Sequence, residues 1–287
     1  MNQIIKKIAV TGGNGFIGNK ILESLIEQKI DVLSLQRSKI NKHNVEIKKF
    51  ELTDVSNMTY KILCDVDVVI HAAAHVHHHN SQENEYKNAN FSATKNLFEL
   101  CKKAKVKKFI FLSSVSVYGL NSSKNKINLN NNTSPNSFYG KSKLMCEDYL
   151  LNTNNSVKVS IIRLPLVYGD NAPGNFGKLQ KIANTNLPLP FLNLKNKRSM
   201  IDVNIVASVI CKIALNCDAH LGLHLLCEKK PFSTEEIISR LRGFNNKSAR
   251  LFSFPIFIIK ISLILFGKRK IYEQLFEDLE FIGTINI

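Results

Sequence analysis

No Cys-x-x-Cys pair occurs in this 287-residue chain; its six cysteines, Cys64, Cys101, Cys146, Cys211, Cys217 and Cys227, are scattered. That spacing suits neither a zinc framework nor a dithiol redox motif, and reduced thiols in a cytoplasmic protein are expected instead. No secretory leader is expected either, because the short run Ile4–Val10 passes straight into a glycine turn. No apolar run reaches the ~20 residues of a spanning helix. The nearest candidate, Leu251–Phe266, contains Pro255 and Lys260 and is followed by Gly267-Lys268-Arg269-Lys270. It is expected as a buried helix of a C-terminal lobe, with peripheral contact at a membrane surface as the lesser alternative. Acids are scarce, 23 against 39 Lys and Arg, for a formal net charge of +16. The excess is spread along the whole chain, and no basic stretch is interleaved with aromatics as a base-stacking platform requires. No nucleic-acid partner is therefore expected, although a basic surface would attract an anionic substrate.

What is present begins with a core-forming composition, 44% apolar, and a strand–helix rhythm without internal repeats. Ile4–Thr11, Asp31–Leu35, Val66–Ala74, Val106–Ser114, Val157–Leu164 and Leu221–Cys227 read as strands. Helical spacing appears after Phe16, over Asn90–Ala104, over Ser142–Leu151 and over Val203–Leu215. The alternation predicts an α/β fold, a doubly wound parallel Rossmann sheet. Residues 1–170, completed by roughly 203–228, form its dinucleotide-binding domain. Residues 171–202 and 229–287 lose the rhythm and are expected as a smaller substrate-binding lobe.

Thr11-Gly12-Gly13-Asn14-Gly15-Phe16-Ile17-Gly18 follows the first strand and opens a helix. Glycines let the chain turn sharply and bring amide groups close to a pyrophosphate, so Gly12, Gly15, Phe16, Ile17 and Gly18 are cofactor-binding candidates. About 120 residues later stands Tyr139-x-x-x-Lys143, with Ser114 placed 25 positions before the tyrosine. A phenol of pKa ~10 is a poor base, but a lysine one helical turn away favours the phenolate. Tyr139 would then take a hydroxyl proton while hydride leaves the same carbon, and Ser114 would hold the oxygen. His71, His75, His77, His78 and His79 suggest a metal site at first sight. Three consecutive histidines cannot all face one ion, and no acid stands among them at ligand spacing, so no metal is expected.

The G-x-x-G-x-x-G spacing, Ser114, Val117-Tyr118-Gly119, Tyr139-Gly140-Lys141-Ser142-Lys143, Asn90, the segment Arg163–Gly169 and the segment Arg198–Val203 together resemble the extended short-chain dehydrogenase/reductase family. Nucleotide-sugar epimerases and dehydratases belong to that family, and the resemblance covers nearly the whole chain. It implies that Asp54 lies near the adenine, that Ala72 and Ala73 form the small-residue strand end under the cofactor, and that Asn90, Tyr139 and Lys143 also line the cofactor site. It also implies NAD as the cofactor, with NADP possible. Where NAD-specific relatives carry an acid, this chain reads Leu35-Gln36-Arg37-Ser38. Arg37 either pairs with the 2′-phosphate of NADP or merely stacks on adenine or faces solvent. On the substrate side the resemblance implies Ser116 near the sugar, and Asn175 and Arg198 on the diphosphate of a UDP-sugar. Homodimers are usual in the family.

Sugar dehydratases of this family carry Asp-Glu directly after the serine or threonine; here Val115 and Ser116 stand there, which disfavours elimination of water. The chain also departs from the family pattern at Ala93 and Asn204, has no tryptophan, and ends before the family's usual closing segment, so a shortened lobe is expected. The leading expectation is a UDP-hexose or UDP-N-acetylhexosamine 4-epimerase of the bacterial surface-polysaccharide type. A 4-ketoreductase of a 4-keto-6-deoxy UDP-sugar is the alternative, and a non-catalytic dinucleotide-binding protein the third reading.

Overall fold

The structure, a computed structural model, describes residues 5–37, 43–51, 59–76, 82–153, 156–244 and 247–285, with the side chains of residues 175 and 244 outside the description. Its strands are β1 (Lys7–Thr11), β2 (Asp31–Gln36), β3 (Glu46–Lys49), β4 (Val68–His71), β5 (Lys108–Ser114), β6 (Lys158–Leu164), β7 (Leu166–Tyr168), β8 (Met200–Asp202) and β9 (Gly222–Leu225). The helices are α1 (Phe16–Glu27), α2 (Glu83–Tyr86), α3 (Ala93–Lys103), α4 (Phe138–Asn152), α5 (Gly174–Ala183), α6 (Val203–Leu215), α7 (Thr234–Phe244), α8 (Ile256–Leu265) and α9 (Arg269–Phe276). Seven strands form one parallel sheet in the order β3-β2-β1-β4-β5-β6-β9, and β7 pairs with β8 in a separate parallel ribbon. The doubly wound α/β expectation thus holds.

The strand sequences explain this arrangement. Ile8, Ala9 and Val10 of β1, Val68, Val69 and Ile70 of β4, and Phe109, Ile110 and Phe111 of β5 are all fully buried, as strands covered on both faces must be. On one face Ile21, Leu22 and Leu25 of α1 pack with Val206, Ile210 and Ile213 of α6. On the other, Leu97, Phe98 and Cys101 of α3 join Cys146 and Leu150 of α4. The C-terminal end of α6 is closed from the sheet. Lys108 Nζ donates to the carbonyls of Ile213, Asn216 and Ala219 at 2.9, 3.0 and 2.6 Å, satisfying groups a helix end leaves open.

Strand order reverses between β1 and β4, where Thr11 lies in register with His71. Ligands of such sheets bind outside the carboxyl ends of the strands at this point. Residues outside the main sheet build a separate apolar core, the lobe core, on Phe176, Leu179, Phe191, Ile238, Tyr272 and Phe276, with Phe16 and Tyr168 packed against it. Residues 279–285 leave the lobe: Leu279 and Phe281 pack with Val117, Tyr118, Leu225 and Cys227, and Ile285 joins the α1–α6 core.

Several expectations are corrected. The apolar run Leu251–Phe266 does yield a helix, α8, but no residue of that helix is buried. Only Ile259 and Leu263 turn partly inward onto the lobe core, because a ten-residue helix at the rim presents a single stripe to it. The strand expected over Val66–Ala74 is confined to Val68–His71, since β1 ends opposite it at Thr11 and offers no further ladder. The helix expected from Ser142 begins at Phe138, capped by Ser137, whose side chain accepts from the Gly140 N–H at 3.1 Å.

Candidate active site

Three strand ends and the first turn of α4 build the site. Gly12 leaves β1 with φ +73, and a Cβ there would lie 2.7 Å from the Ala73 nitrogen. Glycine is therefore required for β1 and the β4 end to meet. Gly15 N–H closes the turn on the Gly12 carbonyl at 2.8 Å and then becomes the N-cap of α1. That N-cap has no side-chain partner and the first turn has no acid, so the amides at Phe16, Ile17 and Gly18 form an open, positive helix end. The Phe16 side chain itself packs on the small-lobe core. Such a cradle fits a dinucleotide pyrophosphate.

Beneath the cradle His71 is buried between two hydroxyls, with Nδ1 2.6 Å from Thr11 Oγ1 and Nε2 3.0 Å from Thr94 Oγ1. Burial, with a smaller push from the Lys143 charge, lowers its pKa to about 3. Both ring nitrogens are thus engaged, and His71 is a neutral tie between β1, β4 and α3. Thr11 Oγ1 also accepts from the Ala73 N–H at 3.3 Å. Asn90 clamps the next stretch: its Oδ1 accepts from His75 N–H at 2.7 Å, and its Nδ2 donates to the His75 carbonyl at 3.1 Å and to Ser142 Oγ at 2.9 Å. Ala72 and Ala73 directly follow the end of β4.

The three residues expected to transfer the proton come together across β5 and α4. Ser114 is the last residue of β5, and its Oγ accepts from Ser116 N–H at 3.1 Å. Tyr139, in the first turn of α4, shares a side-chain hydrogen bond with Ser114. Burial raises the phenol to about 12, against the lowering effect of that hydrogen bond. Lys143 lies one turn further on, buried, with Nζ donating to the Leu112 carbonyl at 2.7 Å and standing 5.9 Å from the Tyr139 ring centroid. Burial lowers the ammonium to about 8, partly offset by the Cys146 thiol and the Glu147 carboxylate. Gly140 makes the approach of α4 feasible, since a Cβ there would come 2.5 Å from the Ser116 carbonyl. Among the described residues Ser116 Oγ, two positions after Ser114, is buried without a hydrogen-bond partner.

Arg37 follows β2 and is exposed. Asp54, His77, His78 and His79 lie outside the described residues. Among the described residues no group of three His, Cys, Asp or Glu side chains could hold a metal ion. Asn175 stands in the first turn of α5, its side chain outside the description. Arg198 is placed differently from what a diphosphate contact suggests. Its Nη1 donates to the carbonyls of Asn121, Glu273 and Glu277 at 3.2, 3.2 and 3.0 Å, and its Nη2 to that of Asn121 at 3.3 Å. Burial lowers this guanidinium to about 10. As it stands, Arg198 closes the C-terminal end of α9 and ties it to the Asn121 loop.

One supporting network was not singled out in the sequence. Glu147, one helical turn beyond Lys143, meets Arg163 of β6, and Ser113 donates to the same carboxylate at 2.5 Å. Its position on the Tyr139–Lys143–Glu147 repeat was the available signal.

The comparisons agree with this geometry. Residues 8–223 match the model of the NAD dependent epimerase/dehydratase family. A UDP-glucose 4-epimerase of Vibrio cholerae is 31% identical over 281 residues, covering 94% of this chain and 85% of that one. An N-acetyl-alpha-D-glucosaminyl-diphospho-ditrans,octacis-undecaprenol 4-epimerase of Escherichia coli O157:H7 is 26% identical over 254 residues, covering 86% and 75%. Among solved structures, UDP-N-acetylglucosamine 4-epimerase from Bacillus cereus superposes with a TM-score of 0.73 at 24% identity, covering 87% of each chain. With most of its length matched and the glycine cradle, Ser114, Tyr139 and Lys143 assembled at one strand edge, this chain belongs to the NAD dependent epimerase/dehydratase family.

Proposed function

We propose that this enzyme is a UDP-hexose or UDP-N-acetylhexosamine 4-epimerase that works with NAD. The observation that carries the proposal is the Tyr139–Ser114 hydrogen bond at the end of β5, with Lys143 buried one turn away and the Gly12 cradle on the neighbouring strands. The 31% identity to an enzyme named UDP-glucose 4-epimerase supports the substrate class.

Tyr139 acts as the base toward the sugar 4-hydroxyl, and Ser114 donates to the same oxygen as it becomes a carbonyl. An oxidised nicotinamide, when bound, supplies the hydride acceptor and a positive charge beside the phenol. With its phenol at about 12, Tyr139 needs added positive charge to ionise at neutral pH, and Lys143, at about 8, still carries its proton there. Gly12, Gly15, Phe16, Ile17 and Gly18 hold the dinucleotide, with Ala72, Ala73 and Asn90 beneath it. Asp54 contributes on the adenine side, and Arg37 stands where discrimination between NAD and NADP would be made. Ser116 offers its unpartnered hydroxyl to the sugar. The uncapped first turn of α5, with Asn175, meets the diphosphate. We assign Arg198 to this region through the α9–Asn121 contact it maintains, and a direct phosphate contact would require it to leave those carbonyls. Because Val115 and Ser116 carry no acid, the ketone is returned to an alcohol rather than losing water. Once the sugar has turned over in the pocket, Tyr139 would return its proton to the C4 oxygen, and hydride coming back from the cofactor to the opposite face of C4 would invert that carbon.

The test is incubation with UDP-glucose and with UDP-N-acetylglucosamine plus trace NAD⁺, followed by NMR of the C4 configuration. Inversion without net consumption of NAD⁺ is the expected result. Failure to invert either sugar, with stoichiometric NAD(P)H loss on a 4-keto substrate, would establish the ketoreductase. That second reading draws its support from the absence of a carboxylate at Leu35–Ser38.

We also propose a cytoplasmic homodimer that associates through α4, whose Phe138 and Leu151 are exposed apolar residues. Sedimentation velocity with Leu151→Glu tests the association. The described cysteines are all unpaired thiols, as a reducing compartment maintains them.

A further inference from the structure

We infer that α8 and the turn after it form a docking surface for an anionic lipid bilayer, on which the enzyme lies without crossing it. The apolar run here is not core. Phe257, Leu265 and Phe266 expose 65%, 80% and 78% of their surface, and Phe252, Phe254, Ile256, Ile258, Ile261 and Ile264 are also exposed. Isolated exposed apolar residues need no explanation, but a contiguous helix of them marks an interaction surface. Ten residues of helix span ~15 Å, about half of a bilayer's hydrocarbon core, so α8 can lie in the interface but not traverse it.

Charge selects the occupant. Between Glu236 and Glu273 the sequence carries eight Lys or Arg residues and no Asp or Glu. Lys268, Arg269 and Lys270 follow α8 directly and are exposed. Arg269 is held by Glu273 at 2.8 Å and Lys260 lies 4.0 Å from Glu277, whereas Lys268 and Lys270 make no ion pair among the described residues. An apolar face rimmed by basic side chains matches acyl chains below anionic headgroups. A second copy of the chain fits less well, because a two-fold interface would set this basic run against itself. The face also stands on a firm base: Ile259 and Leu263 anchor α8 to the same lobe core that holds Phe176 of α5. The inference rests on exposure and charge, and is independent of which sugar the site takes.

The absence of tryptophan from the chain supplies the test. In the full-length Phe257→Trp protein the only indole sits on α8. With phosphatidylcholine vesicles containing about a third phosphatidylglycerol, we expect a blue shift, quenching by brominated acyl chains, and co-sedimentation that weakens with salt. Pure phosphatidylcholine should bind at least tenfold less. Lys268→Gln with Lys270→Gln should lower partitioning about thirtyfold, at roughly 1 kcal/mol per basic residue. Phe257→Asn, Leu265→Asn and Phe266→Asn together should abolish co-sedimentation while leaving thermal stability and activity on soluble substrate unchanged. No binding to anionic vesicles, or binding that survives the triple substitution, would overturn the inference. So would a triple variant that lowers the oligomeric state in sedimentation velocity, which would assign the face to a second copy.

Discussion

Arg163 and Glu147 form an ion pair that solvent scarcely touches, with Nη2 2.7 Å from Oε2 and side-chain exposures of 4% and 1%. Arg163 Nε reaches both carboxylate oxygens at 3.1 and 3.2 Å, and its Nη1 donates to Tyr118 at 2.8 Å. The pair thereby locks α4, which carries Tyr139 and Lys143, to β6 and to the turn after Ser114. Removing one member leaves the other charged, buried and alone. Glu147→Ala should therefore cost ~3–5 kcal/mol in urea unfolding. The same substitution in Lys141, which is exposed, should cost under ~0.5 kcal/mol.

The phenol and the fold are separable. Tyr139→Phe keeps the ring and removes the proposed proton carrier, so kcat should fall by about 10²–10⁴. Dinucleotide binding, measured by calorimetry, should remain within about threefold, since the Gly12 cradle is untouched.

Ser116 has the opposite signature to a structural serine. Its hydroxyl is buried without a partner among the described residues, so Ser116→Ala removes none of the bonds described in the free protein. Stability should stay level or rise by up to ~1 kcal/mol. KM for the nucleotide sugar should rise about five- to thirtyfold as a substrate hydrogen bond is lost. A fall in stability with unchanged KM would assign Ser116 to the scaffold.

His71 gives the protein an acid-sensitive joint. In the folded state it stays neutral down to about 3, while in the unfolded chain it takes up a proton near 6.5. Between those values the unfolded chain binds more protons, so this contribution is complete above about 6.5 and is lost as pH falls toward 3. The loss amounts to on the order of 5 kcal/mol across the window. His71→Gln should be less stable at pH 7 yet show a flatter decline between pH 6.5 and 4. Parallel curves for the two proteins would show that His71 does not set the acid limb.

Much of the fold was legible because its signals are local. Buried parallel strands read as apolar runs, and the glycine turn lies in sequence between one such run and a helix. The serine–tyrosine–lysine set could be read from spacing because four residues make one helical turn and because Ser114 ends a strand. The boundaries were less legible. Nothing local stops Val66–Ala74 at His71; the strand ends where β1, its partner, turns away at Gly12. The start of α4 at Phe138 depended on a Ser137 cap next to a long Asn-rich loop. Arg198 illustrates the limit for sites: the family resemblance implies phosphate recognition, but the carbonyls that hold it come from Asn121, 77 residues before it, and from Glu273 and Glu277, 75 and 79 residues after it.

Local sequence by itself determined the parallel sheet, the dinucleotide cradle and the presence of Tyr139, Lys143 and Ser114, because each is written in a run of consecutive or one-turn-spaced residues. Tertiary structure alone decided three things. It paired Glu147 with Arg163, it left Ser116 without a partner among the described residues, and it put the apolar run of α8 on the outside. These outcomes depend on which distant surfaces meet, and hydrophobicity along a chain records the need for burial without naming the partner that will provide it.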